Sequence, residues 1–394
     1  MPSNGRIGVL TGGGDVPGLN AVIKSVTFRA TELGYEVLGL RRGWEGLTHV
    51  RPGHRQERPY VVPLDRTATR AIDRTGGTIL HTSRTNPARV RGAALPPGLT
   101  RSEAARMAVG EDLYDVTPLV LQHLEQLDIG CLVAIGGDDT LSYAARLEHE
   151  GVPLLAIPKT MDNDVPGTEY CIGFSTAVTR AKELINRQRT TLGSHERIGV
   201  FRIFGRDAGF TALYTAFVTS ARCLIPEATF DLEQLTSLLM EDRSGNPSAY
   251  AFVIAAEGAR WAGASIDEFG PADAFGHRHK ANVAEVLASE IRARTGVETV
   301  ASELTYDLRS GEPDSLDQLV AITFANVAMD ALRDGVSGRM SAVREGHYAL
   351  APLPGPDEHA RRVDVPTMYN VERLRPRYDG LLGRPMLLGV PVGR

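Results

Sequence analysis

Cysteine is scarce in this 394-residue chain: Cys131, Cys171 and Cys223 are far apart, odd in number and without a CxxC pair. That argues against a disulfide framework or a structural zinc site and fits a reducing cytoplasm, with the thiols as small core residues. Long apolar runs are missing too. No stretch approaches the ~18 consecutive apolar residues of a membrane helix, so no membrane role is expected. Arg6 already opens the first strand-like run, Arg6–Leu10, which leaves no room for a secretion signal; the expected compartment is cytoplasmic. Charge of one sign does not dominate. Forty-three basic residues face 48 acidic ones, a formal net charge of −5, so no overall field draws the chain to nucleic acid or anionic lipid. An anionic ligand must be held by local clusters.

What is present is ordinary globular usage, 42% hydrophobic and 23% charged, in a length that suggests two or three domains. The 41 glycines have no triplet period and gather just before apolar-periodic segments, as ligand loops do. Short β-rich runs alternate with helical patterns. Ile7–Thr11 reads as a strand followed by Gly12-Gly13-Gly14-Asp15 and a helix from Pro17 to Leu33. Tyr35–Leu40 is a strand, Thr117–Gln126 an amphipathic helix, and Ile129–Ile135 a buried strand before Gly136-Gly137-Asp138, with a helix from near Thr140. Pro153–Ile157, Ile198–Phe204 and Tyr250–Ala256 are further strands, each running into a polar turn. Arg51–Pro59 and Asn86–Thr100 read as exposed loops, and the proline-rich tail from about Gly346 has no clear assignment. Strand, polar glycine loop, helix, repeated, is the pattern of an α/β fold with a mostly parallel sheet. Such sheets bind ligands beyond the carboxyl ends of their strands, where the unusual polar residues fall.

Those loops carry phosphate chemistry. In Thr11-Gly12-Gly13-Gly14-Asp15-Val16-Pro17-Gly18, backbone N–H groups can approach a phosphate, helped by a helix N-terminus. The run is neither G-x-G-x-x-G nor a Walker A loop, and tight packing alone is the structural alternative. In Gly136-Gly137-Asp138-Asp139-Thr140, adjacent carboxylates need compensation. Mg²⁺ carrying a phosphate would supply it, while Asp139 could also serve as an N-cap. Pro158-Lys159-Thr160-Met161-Asp162-Asn163-Asp164 offers a cation, a hydroxyl and two carboxylates, the parts phosphoryl transfer needs. From Arg180 to Arg206, seven basic residues stand against Glu183 and Glu196. Arg197 and Arg206 flank a buried strand and are the better candidates for gripping an anion. Glu257 ends a strand and can accept sugar hydroxyl bonds; Arg309 precedes another polar turn, Ser310-Gly311.

The ordered set TGGGDxPGLN, GGDDT, PKTMDND, SHER, FGRDAG and AAEG, from about residue 6 to 340, resembles the 6-phosphofructokinase family. The resemblance implies two doubly wound (Rossmann-like) α/β domains with the active site between them. These are residues 1–173 plus about 313–345 for the phosphoryl donor and 174–312 for the sugar phosphate, leaving 346–394 as an extension. It implies phosphoryl transfer to the 1-hydroxyl of fructose 6-phosphate with Mg²⁺. Asp162 is then the general base and Asp164 its support, Asp138 the metal-associated aspartate, and Arg84 and Lys159 the cations on the transferring group. Gly13, Gly14, Asp139, Thr140 and Lys159 line the donor site. Thr160, Phe204, Gly205, Arg206, Glu257, Tyr306 and Arg309 match the sugar-phosphate pocket. Arg197 matches an arginine lent across a subunit interface, which implies a homodimer or homotetramer.

Family members using ATP typically have glycine at the position of Asp139, whereas pyrophosphate users have aspartate there and lysine at 159. The resemblance therefore points to pyrophosphate as donor, working reversibly, with ATP as the alternative. Tyr143 is expected to crowd an adenine pocket. Two departures concern the acceptor: Thr305-Tyr306-Asp307-Leu308-Arg309-Ser310-Gly311 replaces the usual G-[HY]-x-Q-R-G-G, and Val300 stands where many members have a phosphate-binding arginine. Sedoheptulose 7-phosphate is the alternative acceptor. A non-catalytic sugar-phosphate sensor is the reading from another class, disfavoured by the presence of Asp162, Asp138 and Arg84 together.

Overall fold

In the computed structural model, residues 5–51, 59–261, 268–269, 279–280, 283–355 and 358–379 are described. Most of the expected Arg51–Pro59 loop lies outside them. A seven-stranded sheet runs in the order His347–Pro352, Arg339–Arg344, Leu154–Pro158, Cys131–Gly136, Arg6–Thr11, Glu36–Leu40 and Val61–Leu64. Its five inner strands are parallel, and both edge strands are antiparallel. Cys131–Gly136 and Leu154–Pro158 are buried at every position, as continuous apolar runs covered on both faces should be. A second sheet, all parallel, runs Arg222–Leu224, Ala251–Ala256, Ile198–Ile203, Thr299–Leu304. The α/β class and the parallel sheets expected from the alternating pattern are both present.

The registers Thr11↔Ile135 and Ile135↔Ile157 bring three strands of the first sheet to an end at one level. In the second sheet Ile203 pairs with Ala256 and Leu304 in the same way. The polar turns after these strands therefore form two walls of one crevice. The helix Ser315–Arg333 packs on Leu19–Glu32 and pins the start of helix Phe174–Ser194 through Asp317. The fully buried Asp317 carboxylate accepts hydrogen bonds from the Tyr170 hydroxyl, the Gly173 and Thr176 N–H groups and the Thr176 hydroxyl. Around these contacts Val, Leu and Ile side chains are removed from water, each contributing about 1.5–3 kcal/mol.

Helix Thr117–Gln126 has the expected bounds. Asn86–Thr100, read as loop, holds the turns Pro87–Arg89 and Gly92–Ala94 and the short strand Val90–Arg91. The tail that resisted assignment begins as a sheet edge strand, His347–Pro352. All three cysteines are free and buried, as expected for small core residues, and burial pushes the Cys131 thiol up to about 12. Among the described residues no helix is long and apolar enough to cross a membrane.

Candidate active site

One wall of the crevice is built by three strand ends of the first sheet. After Thr11, the Gly12 N–H donates to Ile135 O at 2.9 Å, and the Gly13 N–H donates to Ser83 O at 2.9 Å. The Thr82 hydroxyl donates to Gly13 O at 2.6 Å. This lashes the Thr82–Arg84 segment to the glycine turn and places Arg84 beside it. Gly13 has φ +78°, and a Cβ there would come 3.0 Å from Lys159 Nζ. Only glycine leaves the turn open to the ammonium.

Lys159 is buried at the end of strand Leu154–Pro158 and donates from Nζ to Gly14 O at 2.6 Å. Burial, reinforced by the nearby Arg309 charge, lowers its pKa to about 8, while Asp138 and Asp15 oppose the shift. The buried ammonium thus sits beside a glycine loop with Arg309 on one side and the Asp138 and Asp15 carboxylates on the other, a place where an anionic ligand would add to its stabilisation.

The helix after Gly136 begins at Asp138 with Gly137 as its N-cap. This corrects the capping role considered for Asp139. Asp138 and Asp139 both occupy the first turn, at the positive end of the helix, and Asp138 is exposed at the strand end. Thr140 is buried beside Gly12 and Gly136, and its carbonyl accepts the Trp44 Nε1–H at 3.3 Å. Tyr143 does not face the crevice, contrary to the expected crowding of an adenine pocket. It is buried edge-on to Trp44, ring centroids 5.0 Å apart, and donates to the Thr117 hydroxyl at 3.2 Å. Its place on the helix face shared with Thr140, Ala144 and Leu147 puts it in the core.

The Asp162-Asn163-Asp164 turn is held from within. The Asp162 N–H donates to Thr160 Oγ1 at 3.1 Å, and the Thr160 hydroxyl bonds the Asp164 carboxylate. Asn163 sits at φ +54°, a strained region that its side chain offsets by accepting from the Cys171 N–H at 2.8 Å and donating to Glu169 O at 3.1 Å. Burial raises the pKa of Asp162 well above the usual carboxylate range; Asp164 and Glu257 add to the shift, and Arg206 and Arg309 oppose it. Burial, then Asp138, raises Asp164 to about 6. Two neighbouring carboxylates whose proton affinity is raised above the usual range, at a strand end, suit proton transfer.

The second wall comes from the other sheet. Ile198–Ile203 leads into Phe204-Gly205-Arg206, and the Gly258 N–H donates to Gly205 O at 3.0 Å, joining this turn to the one after Glu257. Gly205 has φ +125°, and a Cβ would lie 2.7 Å from Ala208 O. Arg206 pairs with Asp207 at 2.8 Å, and Glu257 with Arg202 at 3.2 Å. Tyr306 is 72% exposed, with its ring below the Arg309 guanidinium. Arg309 also stacks on Phe204 and reaches across the crevice to within 4.0 Å of the Asp15 carboxylate and close to Gly14. Its Nε is buried without a hydrogen-bond partner among the described residues. Arg309, assigned by resemblance to the sugar pocket, therefore also touches the donor loop, and Asp15, unassigned in the sequence reading, faces it.

Arg197 is not brought to this crevice. It precedes strand Ile198–Ile203 at the end opposite Phe204, about 20 Å away for six residues at ~3.3 Å each, and pairs with Glu298 at 2.7 Å. Val300 is half-buried against the main hydrophobic core.

The phosphofructokinase family profile matches residues 6–332. The chain belongs to the phosphofructokinase family. A pyrophosphate–fructose 6-phosphate 1-phosphotransferase of Streptomyces coelicolor is 38% identical over 369 residues, 92% of this chain and 97% of that one. ATP-dependent 6-phosphofructokinase 3 of the same organism is 37% identical over 361 residues, 91% and 96% of the two chains. The structure of a pyrophosphate-dependent phosphofructokinase from Marinobacter aquaeolei superposes with TM-score 0.72 at 17% identity, covering 95% of this chain and 89% of that one. This phosphofructokinase fold agrees with the architecture implied by the sequence motifs.

Proposed function

We propose that this phosphofructokinase transfers a phosphoryl group from pyrophosphate to the 1-hydroxyl of fructose 6-phosphate, reversibly, giving fructose 1,6-bisphosphate and phosphate. The observation that carries the reading is the position of the Asp162–Asp164 pair. It lies between a lysine-backed glycine loop on one wall and the Arg206, Glu257 and Arg309 group on the other. Relatives named for pyrophosphate and for ATP both resemble the chain, so the donor rests on two residues. Lys159 presents a compact ammonium to the glycine loop, and Asp139 adds a carboxylate at the helix start where a longer polyphosphate chain would pass.

In the forward reaction the backbone N–H groups of Gly13 and Gly14, with Lys159 and Arg84, orient pyrophosphate, and Thr140 supports the turn from below. Thr160, Phe204, Gly205, Arg206, Glu257, Tyr306 and Arg309 hold the sugar phosphate with its 1-hydroxyl at Asp162. Asp162 takes the hydroxyl proton as the oxygen–phosphorus bond forms and the bridging phosphorus–oxygen bond breaks; Asp164 and Thr160 keep the turn in place. Among the described residues no group of three or more His, Cys, Asp or Glu side chains could cage a metal. The exposed Asp138 beside the glycine turn instead fits a Mg²⁺ ion that arrives with its phosphate ligands, since Mg²⁺ takes one or two carboxylates plus phosphate oxygens. Bound there, the ion would neutralise phosphate charge. Arg197, too far from its own crevice, serves the site of a second copy in a homodimer or homotetramer.

Mixing the enzyme with fructose 6-phosphate, pyrophosphate and Mg²⁺ should yield fructose 1,6-bisphosphate and phosphate in equal amounts, and the reverse mixture should yield pyrophosphate. No bisphosphate from pyrophosphate, with turnover from ATP, would replace the donor assignment.

A further inference from the structure

The tail that follows the first sheet's edge strand returns to the catalytic crevice. The Arg361 N–H donates to Asp164 O at 2.7 Å. From the same residue, Nη1 donates to Asn163 O at 3.1 Å and Glu169 O at 3.0 Å. The half-buried guanidinium lies 4.3 Å from the centroid of the buried Phe210 ring. Among the described residues it makes no ion pair; its hydrogen bonds go to the backbone of the Asp162-Asn163-Asp164 turn and of the segment just after it.

Two residues on, the Val363 N–H donates to Glu227 Oε1 at 2.9 Å, the same oxygen that accepts the Gly209 N–H at 2.9 Å. Gly209 ends the FGRDAG turn that carries Arg206, and Phe210 opens the helix that follows it. The tail therefore grips the base-bearing turn of one wall and the sugar-facing turn of the other within three residues. It is anchored farther along. Val363, Tyr369 and Leu374 are buried in the core, the Tyr369 hydroxyl donates to Cys223 O at 2.7 Å, and the Cys223 N–H donates to Leu374 O at 2.8 Å. Arg222, fully buried and paired with Asp242, adds a bond to Arg373 O at 2.6 Å.

We propose that residues 361–374 form a strap that fixes the Asp162-Asn163-Asp164 turn against the sugar-facing turn, with Arg361 as its positioning residue. This depends on the proposed function only in taking Asp162 as the base. Arg361 touches no reacting atom. It ties the Asn163 and Asp164 carbonyls to that of Glu169, holding a turn whose central residue, Asn163, has a left-handed conformation that other side chains rarely adopt. Without the clamp the turn gains alternatives, and the carboxylate loses the sub-ångström placement that general base catalysis requires.

The test is Arg361→Met, which keeps an apolar stem over Phe210 but no donors, beside Arg361→Lys, both in the full chain. Assays use whichever donor, pyrophosphate or ATP, the wild type turns over. Failure of the donor assignment then shows in the wild type, and failure of the strap only in the variant-to-wild-type ratio. Arg361→Met should lower kcat about 10–100-fold with KM for donor and sugar phosphate within about twofold. Arg361→Lys, restoring a donor, should recover to within about tenfold of wild type but not fully, because one ammonium cannot span the carbonyls. Amide hydrogen exchange at residues 162–165 should quicken in both variants, a readout that needs no turnover. A kcat within threefold of wild type in Arg361→Met, or a loss carried by KM alone, would overturn the proposal. If Arg361→Met does not fold, wild-type kcat and wild-type exchange in Arg361→Lys would overturn it equally.

Discussion

Lys159 and Gly14 meet across the donor loop, the lysine Nζ donating to the glycine carbonyl at 2.6 Å. The two lie 145 residues apart in sequence, so the contact joins the ends of two different strands. With its pKa lowered to about 8, Lys159 is a cation below that pH and neutral above it. Donor capture by the free enzyme should therefore be strongest below pH 8 and weaken as pH rises through it, giving an alkaline limb in kcat/KM for pyrophosphate. Lys159→Met should raise KM for pyrophosphate about 10–100-fold, the loss of a charge-assisted bond, and should remove that limb. A limb unchanged in the variant would assign it to another group.

Asp162→Asn should leave sugar-phosphate binding nearly intact and lower kcat about 10²–10⁴-fold, the usual contribution of a positioned general base. In the wild type, the raised pKa values of Asp162 and Asp164 belong to an interacting pair, so kcat/KM should fall as pH drops through the region near 6. Steady-state kinetics across pH 5–9 measure both; a variant above a third of wild-type kcat removes Asp162 from the role.

The sequence made some of this site legible and hid the rest. Apolar runs ending in glycine and aspartate located the strand ends because a buried parallel strand and its ligand loop are both local patterns. The helix boundary at Asp138 was missed because either a glycine or an aspartate can cap a helix, and only the chain path after Gly136 selects Gly137. Tyr143 was misplaced although its spacing from Thr140 and Leu147 marks an inward face. Arg361 carried no signal at all. It hydrogen-bonds the carbonyl of Asn163, 198 residues away, and a backbone carbonyl leaves no trace in residue type.

Arg197→Ala should raise KM for the sugar phosphate by tens-fold, corresponding to about 1.5–3 kcal/mol for a charge-assisted bond. Because Val300 cannot pair with a phosphate, Arg197 and Arg309 should carry more of that binding. Co-expression of Arg197→Ala with Asp162→Asn should restore turnover at low KM, since a hybrid site takes Asp162 from one copy and Arg197 from the other. No recovery in hybrids that demonstrably form would deny the shared site.

Asp317 supports the crevice from behind by accepting four hydrogen bonds in the core. Asp317→Ala leaves those donors unpaired and should lower the unfolding free energy by about 3–5 kcal/mol, with each orphaned group costing ~1 kcal/mol or more. Denaturant unfolding at pH 7 measures it; a loss under 1 kcal/mol would mean that the donors find other partners.

The donor is the central claim, and the ratio of kcat/KM for pyrophosphate to that for ATP, at saturating fructose 6-phosphate and Mg²⁺, tests it most directly. On the proposed reading, the carboxylate of Asp139 in the first turn of helix Asp138–His149 would oppose an α-phosphate by volume and by charge. Because Tyr143 is turned into the core, it does not add to that barrier. Wild type should favour pyrophosphate at least ~100-fold, about 2.7 kcal/mol, and Asp139→Gly should narrow the ratio chiefly by lowering KM for ATP. A wild-type enzyme that turns over with ATP and ignores pyrophosphate would contradict the account.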